Sequence, residues 1–207
     1  MLVDAVIFDW SGTISDDLDV VIDATNRLLD RLGSKFNVTK DYLRKNYKPD
    51  YMDFYKKLGI NASRPEINKL YKEEFLRSKI KPRMLENVAE ILNWIKSDGK
   101  KIFVVSSHPL ELLKKESEDY GLSHLIEKFY ADSIKKEDAI NEIIKIYNYH
   151  KSKVVFVGDT FVDIDAGKAA GVITVAVLTG YQDLETIKIH KPEFVMDGVS
   201  GLREIFN

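Results

Sequence analysis

Short apolar runs alternate with longer amphipathic stretches through most of this chain. Residues 3–8 form a brief, mostly apolar run, the pattern of a strand covered on both faces. Residues 101–105, 129–131, 154–157, 172–177 and 194–196 repeat it, several of them rich in β-branched side chains. Helical periodicity fills the intervals. Residues 88–95 form an amphipathic helix that Gly99 can end, and Pro109 opens a helix that runs to Tyr120 before Gly121. Residues 139–147, 163–170 and 202–206 read as further helices. Strands separated by helices predict a mainly parallel sheet with helical crossovers, an α/β fold.

One block breaks the alternation. From residue 15 to residue 80 the pattern is helical throughout, without a strand. Ser15 is placed to cap a helix with Asp16, Asp17 and Asp19 in its first turn, and Leu18, Val21, Ile22, Leu28, Leu29 and Leu32 recur at helical spacing before Gly33. Residues 39–47 predict a short helix, Pro49 can start another that Gly59 ends, and Ser63 with Glu66 has the capping-box pattern. Tyr42, Tyr47, Tyr51, Tyr55 and Tyr71 fall in this block, chiefly as packing residues, with one or two available to line a substrate pocket. The expected organisation is therefore an α/β core made of residues 1–14 and 81–207, split by an all-helical insertion of residues 15–80. An insertion after the first strand is expected to hang over the carboxyl ends of the strands as a lid.

Composition narrows the function. The 207 residues are 44% hydrophobic and 31% charged, with a net charge of -2, so a real core is available and the basic surplus of a nucleic-acid binder is missing. The absence of cysteine removes thiolate nucleophiles, thiolate metal sites and disulfides. No apolar run approaches the roughly 20 residues of a membrane span, and a strand pattern begins within two residues of the N-terminus. A cytoplasmic protein is expected, as monomer or homodimer, with neither nucleic acid nor membrane as partner.

The chemistry gathers at strand ends. Asp9 follows the first strand directly, and Gly12 permits a tight turn just after it. Ser106 and Ser107 follow the strand 101–105, and Gly158-Asp159 closes the strand 154–157. In open α/β sheets ligands bind at the carboxyl ends of the strands. Lys135-Lys136 precedes the helix that leads into the last of these strands. Each feature alone is commonplace: a turn aspartate, a turn serine, a solvated lysine pair. Together they describe a phosphate site. Asp9 and Asp159 supply hard oxygen ligands for Mg²⁺. Ser106 offers a hydroxyl, the Gly12 and Ser107 loops offer backbone N–H groups, and a lysine neutralises remaining charge. Asp9 is expected to stay ionised, since Mg²⁺ and a lysine both favour its charged form.

The segments Asp9-Trp10-Ser11-Gly12-Thr13, Ser106, Lys136 and Gly158-Asp159-x-x-x-Asp163 resemble, in this order, the four motifs of the haloacid dehalogenase-like hydrolase superfamily. The insertion resembles the cap of its phosphoglycolate phosphatase and β-phosphoglucomutase branch. The resemblance implies a Rossmann-like core, a small phosphorylated metabolite as substrate and Mg²⁺ as cofactor. It implies that Asp9 is a nucleophile that forms an aspartyl-phosphate. Asp9, Asp159 and the Ser11 carbonyl would hold Mg²⁺, with Asp163 supporting the metal through water. Ser106 and a lysine would hold the phosphate; Lys136 fits the motif spacing slightly better than Lys135.

One position departs from that pattern. Phosphatases of this superfamily usually carry an Asp two residues after the nucleophile as general acid/base, and Ser11 stands there instead. Loss of such a group typically costs about 10²- to 10⁴-fold. Three readings follow. The first is a Mg²⁺-dependent phosphatase, slow or served by another group; His108, beside Ser106, is one candidate, though a histidine before a proline at a helix start more often caps. The second is carbon–phosphorus hydrolysis, because the Asp-Trp-x-Gly-Thr segment also resembles phosphonoacetaldehyde hydrolases, which use a cap lysine as a Schiff base. Lys45, Lys48, Lys56 and Lys57 are the cap lysines, with Lys48 at about the right distance from Asp9 in sequence. The third is a phospho-ligand-binding protein with little or no turnover.

Overall fold

The computed structural model describes residues 1–46 and 50–206. The chain divides into two compact units, Met1–Asp16 with Met84–Asn207, and Asp17–Arg83. Short strands β2 (Ser15–Asp16) and β3 (Arg83–Met84) mark the two points where the chain passes from one unit to the other.

The larger unit holds a six-stranded, wholly parallel sheet. Its strands are β1 (Ala5–Phe8), β4 (Lys101–Val105), β5 (Lys128–Tyr130), β6 (Val154–Gly158), β7 (Ile173–Val177) and β8 (Phe194–Met196), in the order β5-β4-β1-β6-β7-β8. Successive side chains of a strand point to opposite faces, and here both faces are covered. Val6, Phe8, Val104, Val155 and Val157 pack into one cluster with Val88, Ile91 and Ile95 of α5 (Val88–Ser97). Ala5, Ile7, Phe103, Val105 and Phe156 pack into the other with Ile140 and Ile143 of α7 (Lys136–Tyr147). This double burial is why the strands read as continuous apolar runs. The remaining helices of the unit are α6 (Leu110–Asp119), α8 (Phe161–Ala170), α9 (Leu184–Ile189) and α10 (Leu202–Ile205).

β1 lies at the centre, with β4 on one side and β6 on the other. After β4 the chain steps outward to β5, then crosses back past β1 to β6. That reversal makes the carboxyl end of β1 the topological switch point, where doubly wound sheets open a crevice for ligands.

The smaller unit is helical: α1 (Leu18–Arg31), α2 (Lys40–Asn46), α3 (Met52–Lys57) and α4 (Arg64–Arg77). Its core is Leu28, Leu29, Val38, Met52, Tyr55 and Ile67, with Tyr42, Tyr51, Phe54 and Tyr71 half-buried around it. Ser63 caps α4 by accepting the Glu66 backbone N–H, as the capping pattern predicts. Arg31 ties α1 to α4 through Glu73 and the buried Glu74 at 2.7 and 2.8 Å.

The local structure differs from the sequence reading in several places. Ser15 does not cap α1; Asp17 stands at the N-cap, and Ser15 is fully buried in the sheet unit with its hydroxyl on Glu116 and Tyr120. Helix α9 carries one buried apolar residue, Ile187, too few to register as periodicity. α7 begins at Lys136, three residues before the apolar period starts at Ala139. Pro49, expected to start a helix, and Tyr47 lie outside the described residues, as does Lys48.

Candidate active site

The parallel registers bring the polar strand ends together. Phe8 pairs with Val104 on one side and Val157 on the other, so Asp9, Ser106 and Asp159 follow three adjacent strands within two residues of one rung. The Asp9 backbone N–H donates to the Val157 carbonyl at 2.8 Å, extending the ladder one step into the loop. Past Asp9 the chain folds on itself: the Trp10 carbonyl accepts N–H groups from Thr13, Ile14 and Ser15. Gly12 sits in this turn at φ +74°, a conformation that disfavours any residue with a Cβ. A Cβ there would also run into the Asp159 carboxylate. Ser11 is half-buried in the same turn.

Three carboxylates converge. Asp9, Asp159 and Asp163 are all buried and offer oxygens within 4.8 Å of one another. Asp159 accepts the Tyr181 backbone N–H on Oδ2 at 2.6 Å and the Thr13 hydroxyl on Oδ1 at 3.3 Å. Asp163 is committed on both oxygens. Oδ2 accepts the backbone N–H and the hydroxyl of Thr160, at 3.0 and 2.6 Å, and Oδ1 faces Lys136 Nζ at 2.6 Å. Asp9 Oδ1 differs from these. It lies 2.9 Å from Lys136 Nζ as an ion pair, yet outside hydrogen-bond geometry, and it is buried without a hydrogen-bond partner among the described residues.

The lysine alternatives separate by burial. Lys136, at the first position of α7, is 4% exposed and reaches both Asp9 and Asp163, whereas Lys135 is exposed to solvent. Ser106 is buried, with its backbone fixed by the Tyr130 carbonyl and the Ser133 N–H, and its hydroxyl accepts the His108 backbone N–H at 3.2 Å. Ser107 is half-buried next to it. Pro109 rather than His108 stands at the N-cap of α6. The His108 ring is buried and lies 3.1 Å through Nε2 from Glu116 Oε1.

Burial governs the charge state. In the metal-free chain, desolvation pushes Asp9 up to about 6; Lys136 opposes that rise and the charge of Asp163 adds to it. Asp159 is raised well above the ordinary carboxylate range, first by burial and then by the charges of Asp9 and Asp163. Asp9 is thus still mostly ionised at neutral pH, but less securely than its neighbouring charges alone suggest. Sequence reasoning counted those charges and had no measure of burial.

The donor set fits a hard divalent cation such as Mg²⁺. Carboxylate oxygens are its preferred ligands, and three carboxylates converge here, two of them against the Lys136 ammonium. Asp9 Oδ1, ion-paired to Lys136 but outside hydrogen-bond geometry, keeps acceptor capacity that such a cation would use.

Several contributing residues have no place in the sequence reading. Thr179 donates to the Gly12 carbonyl at 2.6 Å, and Gly180 packs so tightly that a Cβ there would collide with the Asp159 carboxylate. Thr179, Gly180 and Tyr181 follow β7, so the strand-end rule that singled out Asp9, Ser106 and Asp159 applies to them equally. Glu116 carried no signal, being one more acidic residue along an amphipathic helix. Among the lysines considered for Schiff-base chemistry, Lys45, Lys56 and Lys57 are exposed to solvent.

Known proteins resemble the chain over nearly its whole length. The chain is 28% identical to a phosphoglycolate phosphatase from Aquifex aeolicus, over 98% of this chain and 96% of that one. It is 24% identical to the pyrophosphatase PpaX of Bacillus velezensis, over 98% and 96%. A haloacid dehalogenase-like family hydrolase from Streptococcus pneumoniae superposes with a TM-score of 0.83 at 16% identity, covering 99% of both chains. A hydrolase from Pseudomonas syringae does so at 0.81 and 15%, covering 97% and 96%. At those identities the two structures speak for the fold alone. The sequence model of the haloacid dehalogenase-like hydrolases matches residues 6–177. That span takes in Asp9, Ser106, Lys136, Asp159 and Asp163, and the protein is a member of the haloacid dehalogenase-like hydrolase family.

Proposed function

We propose that this hydrolase is a Mg²⁺-dependent phosphatase acting on a small phosphorylated metabolite through an aspartyl-phosphate on Asp9. The observation that carries the reading is the Asp9 carboxylate itself: buried at the switch point, paired with Lys136, and holding an oxygen without a hydrogen-bond partner among the described residues. Relatives named phosphoglycolate phosphatase and pyrophosphatase support a small phosphorylated substrate. The helical unit Asp17–Arg83 is read as the substrate-selecting cap of the fold.

In this reading a phosphoryl group enters where Lys136, the Ser106 hydroxyl and the backbone N–H groups of the Ser107 loop compensate its charge, the Gly12 N–H being taken by the Ser15 carbonyl at 2.7 Å. Asp9 attacks phosphorus, the bond to the leaving oxygen breaks, and the acyl phosphate forms on Asp9. Water then attacks phosphorus and releases inorganic phosphate, restoring the carboxylate. A divalent cation held by Asp9, Asp159 and the Ser11 carbonyl, with Asp163 behind it, would neutralise the phosphoryl oxygens and let one anion approach another. Asp163 suits an indirect role because it is the more heavily engaged, with two Thr160 donors on one oxygen and Lys136 on the other, against one donor on each oxygen of Asp159. Ser11 supplies no acid for the leaving alkoxide, so that proton comes from water, which favours leaving groups stable as anions.

Turnover of p-nitrophenyl phosphate, with and without Mg²⁺, tests the reading. Metal-dependent activity is expected in the native chain, because a phenolate leaves without help. Ser11→Asp is expected to raise it, by up to about 10²-fold where water activation limits the rate. Absence of metal-dependent turnover in both proteins would defeat the proposal.

The raised carboxylate pKa values give a second expectation. A folded-state pKa of about 6 lies above the ordinary 3.8 for Asp9, so the folded metal-free chain binds a proton that the unfolded chain has lost. Metal-free stability therefore falls as pH rises through that window. A cation competes with the proton, so its affinity rises over the same range, by about tenfold between pH 5 and pH 7 from Asp9 alone. The increase in Tm produced by Mg²⁺ is expected to be large at pH 7.5 and much smaller at pH 5. An equal increase at both values would exclude these carboxylates as the ligands.

A further inference from the structure

One buried acidic side chain joins the two loops that carry the chemistry. Glu116, in α6, is 4% exposed. Its Oε2 accepts the Trp10 indole N–H at 2.8 Å and the Ser15 hydroxyl at 3.0 Å, while its Oε1 lies 3.1 Å from His108 Nε2. A carboxylate only accepts, which places the His108 proton on Nε2. The partners are not scattered. Trp10 follows Asp9 directly, and its carbonyl anchors the turn containing Ser11, Gly12 and Thr13. Ser15 closes that turn, its carbonyl accepting the Gly12 N–H at 2.7 Å. His108 lies two residues past Ser106 and donates its backbone N–H to the Ser106 hydroxyl.

We infer that Glu116 is a positioning residue, which locks the Asp9 loop to the Ser106 loop through Trp10, Ser15 and His108 so that nucleophile and phosphate clamp keep one register. The inference rests on the phosphatase reading for the meaning of those two loops. The physical argument is one of specificity. Apolar packing holds Trp10, fully buried and stacked on Tyr120 at 6.0 Å between centroids, but it is non-directional and leaves the orientation of the ring less defined. Three directed bonds to one carboxylate remove that freedom, because a shift of either loop strands a buried donor. Positional error of about 1 Å at a reacting group can cost on the order of 10²-fold in rate.

Glu116→Gln keeps the shape but removes the charge that all three donors face, and its NH₂ can meet His108 only if the imidazole gives up its Nε2 proton. Trp10→Phe keeps the ring packing and deletes one donor only. Both variants are measured for kcat and KM with p-nitrophenyl phosphate and Mg²⁺ at a temperature where circular dichroism shows them folded. Glu74→Gln, which disturbs another buried glutamate in the helical unit, controls for lost stability. Glu116→Gln is expected to lower kcat by about 10- to 100-fold, with Trp10→Phe moving the same way and the double variant no worse than Glu116→Gln alone. The control is expected to lose Tm without that loss of kcat. Folded Glu116→Gln with kcat within twofold of native overturns the inference; if that variant does not fold, unchanged kcat in Trp10→Phe overturns it. If the native chain turns nothing over, the phosphatase reading fails, and inorganic phosphate with Mg²⁺ becomes the probe. A phosphate-induced rise in Tm that Glu116→Gln abolishes then supports the positioning role. The same rise in both proteins, or none in the native chain, overturns it.

Discussion

Asp9→Asn is expected to abolish turnover without unfolding the protein. An amide is no nucleophile toward phosphorus, and loss of a catalytic nucleophile costs roughly 10⁴- to 10⁶-fold. What makes the substitution informative is its effect on stability. Asp9 is buried among Asp159 and Asp163, and its pKa in the metal-free chain is pushed up to about 6 chiefly by burial. The native fold therefore bears a cost at neutral pH for keeping that group charged, and a neutral amide of the same shape removes it. Metal-free Tm at pH 7.5 should hold or rise, while the stabilisation by Mg²⁺ should shrink because one ligand is gone. Steady-state kinetics with p-nitrophenyl phosphate and thermal melts with and without Mg²⁺ measure both effects. Retained turnover in Asp9→Asn would remove Asp9 from the mechanism. A collapsed fold would mean that the carboxylate is a structural anchor.

Lys136→Met has the opposite balance. The side chain is 4% exposed, and its ammonium lies 2.9 Å from Asp9 and 2.6 Å from Asp163. Methionine retains most of the apolar stem and deletes the charge. Removing one partner of a buried ion pair typically costs about 3–5 kcal/mol, because the remaining charge stays buried without compensation. Here two carboxylates lose their cation together. Lys136 is the chief group holding the Asp9 pKa down, so without it protonation becomes easier and the destabilisation should be smaller at pH 5 than at pH 8. Mg²⁺ should restore part of the lost Tm by returning positive charge to the cluster. It should not restore turnover, expected to fall by about 10²- to 10³-fold with loss of a charge-stabilising donor at the phosphoryl group. Parallel melts at the two pH values and a kinetic comparison decide the matter. Equal destabilisation at both would show that Lys136 does not act on the ionisation of Asp9.

These expectations show how far the sequence carries. Strands covered on both faces must be apolar along their whole length, so residues 3–8, 101–105 and 154–157 announced themselves, and Asp9, Ser106 and Asp159 were legible as the first polar residues beyond them. Parallel strands place those ends on one edge of the sheet, which is why a linear pattern could name residues far apart in the chain. Gly12 was legible for a different reason, since only glycine adopts φ +74° without strain. Other features depend on groups that meet only after folding. Lys135 and Lys136 differ by one position and no chemistry; the direction in which α7 leaves its turn buries one and exposes the other. The Ser15 side chain prefers Glu116, about a hundred residues away, to the helix it could have capped. The pKa of Asp9 follows from its burial more than from the charges around it. The sequence by itself determined which residues are chemically equipped, because periodicity and glycine placement are local properties. The tertiary structure alone decided which of them lose water and which partners they gain, because burial and directed hydrogen bonds are made by the whole packed chain.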